Sequence, residues 1–288
     1  MGIGNDGLMS GNLFLAATPI GNVGDASERL RNILQTADVV AAEDSRRIVR
    51  LLRDLNIVAA GQIISYYEAV EDVKTPEILA WLQEGKNVVV LSDAGMPTIS
   101  DPGYRLVRTA IESGINVQVI PGPSAVLAAL AVSGLPTDRF SFEGFLPRKA
   151  NQRTTFLEQL RHEQRTMVFF EAPHRLAETI SDMKAVFGVE RRAVICRELT
   201  KTYEEIVRGD FQELERWCNR EILGEITLVV EGAHEQKIEN PQEWIRLVQI
   251  RVQAGVSQRD AIADVAHELG VPKREVYDAV ISSRSFDS

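Results

Sequence analysis

The 288 residues carry a formal net charge of −9, with 44% hydrophobic and 25% charged residues. That is the balance of an ordinary globular chain long enough for one large or two ordinary domains, and its acidity argues against a nonspecific coat for nucleic acid while leaving room for a local basic patch. Cys196 and Cys218 are far apart in sequence, and His162, His174, His234 and His267 fall at no metal-ligand spacing, so neither a disulfide framework nor a metal site is expected.

Residues 1–12, "MGIGNDGLMSGN", lack the basic flank and apolar run of a signal peptide and read as a disordered leader. Apolar stretches are strand-sized, short of the roughly 20 residues that span a bilayer, so a cytoplasmic protein is expected. From residue 13 the text alternates between strand and helix. Residues 13–17 are a buried strand ended by Thr18-Pro19-Ile20-Gly21-Asn22, and 26–36 carry helical spacing through Leu30, Ile33 and Leu34. Residues 39–42 are a second strand, ended by Glu43-Asp44-Ser45, and 46–55 form a helix with Ile48, Val49, Leu51, Leu52 and Leu55 inward. A helix over 75–84 opens with Pro76 at its first position and stops at Gly85. Strands at 88–91 and 117–120 flank a helix at 104–113, and a further helix runs over 124–132. Strands this apolar face no water, so parallel pairing with crossover helices is expected.

Past Gly134 the pattern changes. Residues 140–145 are short and aromatic, and "LPRKANQR" is a basic loop opening a helix. Strands at 166–170, 192–196 and 226–231 alternate with helices around 176–187 and 211–217. A boundary near 133–139 divides an N-terminal α/β domain (13–134) from a second α/β domain (135–235). A third piece, 240–288, reads as helices only, with two amphipathic segments joined through Leu269-Gly270-Val271-Pro272. It fits a helix-turn-helix or a plain helical hairpin equally well.

Ligands of open parallel sheets bind beyond the carboxyl ends of the strands. Four loops at such ends hold small residues and prolines: 18–22, 43–47, 92–103 and 121–124. Such residues let backbone approach a ligand closely and fix the loop beforehand. Within them the Asp93 carboxylate is suited to a ligand ammonium or ribose hydroxyl, and Ser124 either caps its helix or bonds a ligand. There is no G-x-G-x-x-G, no G-x-x-x-x-G-K-[ST] and no G-x-S-x-G, which sets aside the common dinucleotide, nucleotide-hydrolase and hydrolase sites.

"LFLAATPIGNVGD", "AAEDSRR", "VVLSDAGMPTISDPGYRLV", "VIPGPSAVLAALAVSGLPTDRFSFEGFLPRK", "FFEAPHRL", "CRELTKTYEE" and "GEITLVVEG" together resemble the ribosomal RNA small subunit methyltransferase I family, cytidine 2′-O-ribose methylases on the tetrapyrrole methylase fold. The resemblance spans residues 13–232 and extends to the helical tail. It implies a two-domain α/β fold with mostly parallel sheets and a small all-α C-terminal segment, a homodimer, 16S rRNA in the small ribosomal subunit as partner, and S-adenosylmethionine in the cleft between domains. Pro19, Ser92, Asp93, Ala94, Gly95, Pro97, Ser124 and Ala125 would contact that cofactor from the first domain, and Phe170, Glu171 and Leu199 from the second. The chain departs from the family pattern at Ser45 and Arg47 (usually Thr and His), at Phe170 and Ala172 (often Tyr and Ser) and at Met96 (commonly Thr).

A ribose hydroxyl is a poor nucleophile, so methylating it calls for a base or a cationic neighbour. Candidates are Glu43, Asp44, Glu171, His174, Glu198 and Lys201; Glu43 and Asp44 read equally as helix caps, His174 as a packing residue, and Glu198 with Lys201 as part of a structural ion-pair group. For RNA, Arg46, Arg50 and Arg53 share one helix face beside Arg47, and Arg148, Lys149 and Arg153 form a second basic group; Arg259, Lys273 and Arg274 in the tail offer a third. Both charge runs read alternatively as solvated surface. Two other functions compete: a tetrapyrrole methylase on the same fold, and a ribosome-associated binding protein without turnover.

Overall fold

The computed structural model describes residues 10–99, 103–233 and 240–284. Residues 1–9 of the expected leader lie outside the described residues; Asn12, its last member, already belongs to a strand.

The first sheet is built from β1 (Asn12–Ala16), β2 (Val39–Ala42), β3 (Gln62–Ser65), β4 (Val88–Leu91) and β5 (Asn116–Ile120), in the order β3-β2-β4-β1-β5. Every pair in it is parallel, as the apolar strands require. Alternate side chains serve opposite faces. Val40, Val89, Leu91 and Ile120 pack against Leu30 and Leu34 of α1 (Glu28–Thr36) and Ile48 and Leu52 of α2 (Ser45–Asp54). Leu13, Val39, Val88 and Val90 pack against Ile78 and Leu82 of α3 (Glu71–Gln83) and Leu106 and Ala110 of α4 (Tyr104–Glu112).

The helix expected to open at Pro76 instead begins at Glu71, with the proline inside it. Glu71 is buried, and its carboxylate Oε1 accepts hydrogen bonds from the Tyr66 hydroxyl (3.1 Å) and the Gly103 N–H (3.1 Å). That anchorage draws residues 71–74 into the helix despite the amide hydrogen missing at 76.

The second sheet has the order β6-β7-β10-β8-β9 from β6 (Phe140–Phe145), β7 (Thr166–Glu171), β8 (Arg192–Arg197), β9 (Glu205–Asp210) and β10 (Ile226–Val230). Only β6 and β7 run parallel; the other three pairs are antiparallel. A short connection between β8 and β9 forces that hairpin, since a parallel crossover needs a dozen or more residues. α6 (Ala150–Gln159), α7 (Leu176–Phe187) and α8 (Phe211–Trp217) cover one face through Leu157, Ile180, Met183 and Leu214. The other face is covered by α5 (Ala125–Ser133), whose Val126, Ala129 and Leu130 meet Val168, Val194 and Val229. This helix precedes the expected boundary in sequence yet packs on the second sheet. The two sheets accordingly form one compact unit, Met1–Gly232.

The second unit, Ala233–Ser288, holds α9 (Pro241–Gln253), α10 (Gln258–Glu268) and α11 (Lys273–Arg284). Trp244 and Val248, Ile262 and Val265, and Val276 and Val280 make its small core. Gly270 takes φ 60° in the turn between α10 and α11, the left-handed conformation glycine adopts without cost. Among the described residues, no helix is long and apolar enough to cross a membrane.

Candidate active site

A cavity of about 420 Å³ opens beyond the carboxyl ends of the first sheet's strands and is closed opposite by the second sheet. Its size is that of a small-molecule site. Four loops and the start of α5 build one wall, and the ends of β6 and β7 with the start of β10 build the other.

The loop after β4 is held in shape by its own backbone. Thr18 and Gly95 exchange N–H to C=O hydrogen bonds of 2.9 and 3.1 Å. The Ser92 hydroxyl lies 3.3 and 3.1 Å from the carbonyl oxygens of Ala94 and Gly95, and its own carbonyl accepts from the Thr18 hydroxyl. Gly95 sits at φ +80°, where a side chain would strain the turn. At its far end the loop is tied down through the Gly103 N–H on Glu71.

Of the eleven residues expected at a cofactor, seven line the cavity: Asp93, Ala94, Gly95, Ser124, Ala125, Phe170 and Glu171. Ser124 makes no cap hydrogen bond to α5, which leaves its hydroxyl for a ligand. The other four lie outside the lining. Ser92 and Pro97 are buried, Pro19 follows the bridged Thr18, and Leu199 packs with Ile20 and Val126.

Among the candidate acid–base groups, Glu43 and Glu171 line the cavity, together with Asp93 and Arg47. The Asp93 carboxylate accepts the Asp44 N–H (3.1 Å) and lies 3.3 Å from Arg47 Nε. Burial and then the neighbouring Asp93 charge raise the Glu43 pKa above its ordinary value. Asp44 points elsewhere: it is the N-cap of α2, accepting from the Arg46 N–H at 2.9 Å and pairing with the Arg46 guanidinium at 2.7 Å. Those bonds hold its pKa down to about 2, and a base so weak has little pull on a proton.

Glu171 is buried with both oxygens occupied. Oε1 accepts the Ala172 N–H (2.8 Å) and sits 3.4 Å from Arg175 Nη1, while Oε2 accepts the Thr179 hydroxyl (2.6 Å). Arg175, absent from the sequence reading, uses its other arm to donate to the carbonyls of Leu146 and Pro147, both at 3.0 Å. His174 is exposed and outside the cavity lining. Glu198 and Lys201 pair at 2.8 Å, and Lys201 also reaches Glu225 on the cavity rim at 2.6 Å. Their turn meets the first sheet's loops: the Asn22 N–H donates to the Thr200 hydroxyl at 3.0 Å, and Gly21 lies so close that a Cβ there would stand 2.9 Å from the Leu199 carbonyl.

The expected RNA residues divide. Arg148 and Lys149 are exposed and form no salt bridge among the described residues. Arg46 pairs with Asp44, and Arg50 with Asp54 at 3.7 Å, on an exposed helix face. Arg153 corrects the sequence reading. Its side chain is wholly buried between α6 and α7, 2.6 Å from Asp182 and 2.7 Å from Glu178. A residue with no exposed surface is a structural cation, not an RNA contact. The i, i+4 pair of carboxylates on α7 is the signal that would have found it.

With this geometry in view, a family model described as Tetrapyrrole (Corrin/Porphyrin) Methylases matches residues 12–215. The chain is 48% identical over 278 residues to the ribosomal RNA small subunit methyltransferase I of Mycobacterium tuberculosis (strain CDC 1551 / Oshkosh), covering 96% of this chain and 97% of that one. Two solved structures share the fold. The cobalamin biosynthetic enzyme cobalt precorrin-4 methyltransferase gives a TM-score of 0.59 at 18% identity, over 80% of this chain and 98% of that one. Uroporphyrin-III C-methyltransferase from Thermus thermophilus, complexed with S-adenosylhomocysteine, gives 0.54 at 17%, over 76% and 97%. The chain belongs to the tetrapyrrole methylase family and, within it, to the ribosomal RNA small subunit methyltransferases I.

Proposed function

We propose that the cavity holds S-adenosylmethionine and that the protein methylates the ribose 2′-oxygen of a cytidine in 16S rRNA. The observation that carries this reading is the meeting of preshaped strand-end loops and a free helix N-terminus in one cavity, with Arg148 and Lys149, which form no salt bridge among the described residues, three and four residues beyond Phe145 at its exposed rim. Residues at such loops fit a ligand of this kind. The N–H groups opening α5 and the Ser124 hydroxyl suit a carboxylate, Asp93 suits hydroxyls or an ammonium, and the apolar walls of Ile20, Met96 and Phe170 suit a flat ring. The S-adenosylhomocysteine in the Thermus uroporphyrin enzyme supports the choice.

Bound S-adenosylmethionine supplies a methyl group on a positively charged sulfur. The protein aligns the acceptor oxygen with that methyl and excludes water. Transfer of that methyl to the ribose oxygen, with cleavage of its bond to sulfur, would release the hydroxyl proton, and Glu43, which lines the cavity, is the carboxylate whose proton affinity is raised to receive it. A homodimer and a cytoplasmic setting belong to the same proposal, on the strength of the family.

The test is incubation with labelled S-adenosylmethionine and either small subunits lacking the modification or a reduced tetrapyrrole. Label on a ribose of the subunit RNA is expected. Label on the tetrapyrrole alone overturns the reading in favour of the sister chemistry, and label on neither favours a binding protein without turnover.

A further inference from the structure

Phe145 breaks the rule that large apolar rings hide. It lines the cavity, yet 58% of it is exposed. Its ring sits 5.6 Å from that of Phe170, tilted by 58°, and Phe170 packs edge-on to Phe142 at 4.9 Å. The inner two rings belong to the apolar cluster under α5, so they fix the outer one from below.

On a regular strand, residues three apart point to opposite faces, and Phe142 and Phe145 would not meet the same ring. A register shift between Phe142 and Gly144 resolves this: Gly144 takes φ +68°, and Phe145 then pairs with Phe170 across the parallel ladder. Bulges of this kind re-aim a side chain. From the other side, the Arg175 guanidinium clamps the carbonyls of Leu146 and Pro147, and Glu171 holds Arg175. The exposed Arg148 and Lys149 follow at once.

We propose that Phe145 is a stacking platform for a nucleobase of single-stranded RNA, next to the phosphates that Arg148 and Lys149 hold. An aromatic face flanked by free cations is the pairing that single-stranded nucleic acid recognises. A ribose cannot reach a cavity from within a duplex, so its nucleotide must be turned out, and an outturned base needs a surface to replace its lost neighbours. The platform supplies that surface and sets the ribose at the cavity mouth. This inference rests on the RNA reading above.

The test uses the full chain with small subunits lacking the modification, comparing wild type with Phe145→Ala, Phe145→Leu and Phe145→Trp. The Ala and Leu variants are expected to raise KM for the subunit by roughly ten- to a hundredfold, the Trp variant to stay near wild type, and calorimetric affinity for S-adenosylmethionine to change far less than KM in all three. Gly144→Ala, which meets no neighbour within 4 Å at its new Cβ but resists positive φ, is expected to share the Phe145→Ala defect. Full activity of the Leu variant overturns the proposal, because any apolar filler would then serve. A loss of S-adenosylmethionine affinity with an unchanged KM for the subunit also overturns it, making the ring a wall of the cofactor site. Wild-type failure on subunit RNA removes the functional reading itself; an active wild type with unaltered variants removes the platform alone.

Discussion

Arg153→Met removes a buried charge and keeps most of its stem. The partners left behind differ: the Glu178 side chain is 61% exposed and the Asp182 side chain 26%. Glu178 relaxes into water, a loss of about 0–1 kcal/mol. Asp182 keeps a partly desolvated carboxylate without its cation; breaking a fully buried pair costs about 3–5 kcal/mol, and a quarter exposure brings this to the lower end or below, about 2–3 kcal/mol. Arg153→Ala also strips the stem of a side chain with no exposed surface, adding about 2 kcal/mol at about 0.8 kcal/mol per methylene. Urea unfolding of the intact protein gives the free energies, and filter binding to small subunits gives RNA affinity. The expected pattern is crossed. Arg153→Met loses stability and keeps RNA affinity, whereas Arg148→Ala with Lys149→Ala keeps stability and loses RNA affinity. Adding Asp182→Asn to Arg153→Met should restore much of the loss. An Arg153→Met protein as stable as wild type, with RNA binding weakened as in the loop variant, would refute the burial argument.

Three further expectations follow from the cavity. Glu43→Gln should lower kcat by a factor of about 10²–10⁴, the usual worth of a general base, and flatten the acid limb of the pH–rate profile. That limb should lie above pH 4.5, because the Glu43 pKa is raised. The same shift implies that the wild type loses stability relative to Glu43→Gln as pH rises from 4.5 through the folded pKa, which acid-to-neutral melting curves check. Asp44→Asn should retain activity, since asparagine caps as well as aspartate. It should remove an acid-sensitive contribution that is present above pH 3.8 and lost as pH falls through about 2; an inactive Asp44→Asn beside an active Glu43→Gln would reverse their roles. Gly21→Ala would place a Cβ 2.4 Å from Lys201 Cγ and 2.9 Å from the Leu199 carbonyl, so calorimetry should show weaker S-adenosylmethionine binding and scanning calorimetry a lower melting temperature.

Much of this arrangement is legible in the chain itself because it depends on local signals. Runs such as Val88-Val89-Val90-Leu91 declare a strand buried on both faces, and the glycines and prolines after them declare a shaped loop. β3 and β9 escape such a reading because both are edge strands without a single buried residue, and short mixed sequences carry little periodicity. Charge is harder still. Arg148 and Arg153 lie in the same basic run, yet one reaches solvent and the other is enclosed by α7, a distinction that exists only after the helices pack. Arg175 and Phe145 were missed for a related reason: each acts through partners brought together by the β6 and β7 ladder, and nothing in their immediate neighbourhood announces it.

The position of β1 has a consequence for how the chain is made. It lies inside the first sheet, between β4 and β5, with Leu13 opposite Val88 and Asn12 opposite Asn116. Synthesis from the N-terminus produces this apolar strand first and its two neighbours last. Both of its edges stay open until β4 and then β5 have emerged, and an open apolar edge invites pairing with other chains. The first sheet therefore closes only once Ile120 has been made, whereas the hairpin of β8 and β9 has its partner at hand within a few residues. Slow or truncated translation should strand the first half in an aggregation-prone state, so the order of the strands makes the nascent chain, more than the finished protein, the vulnerable species.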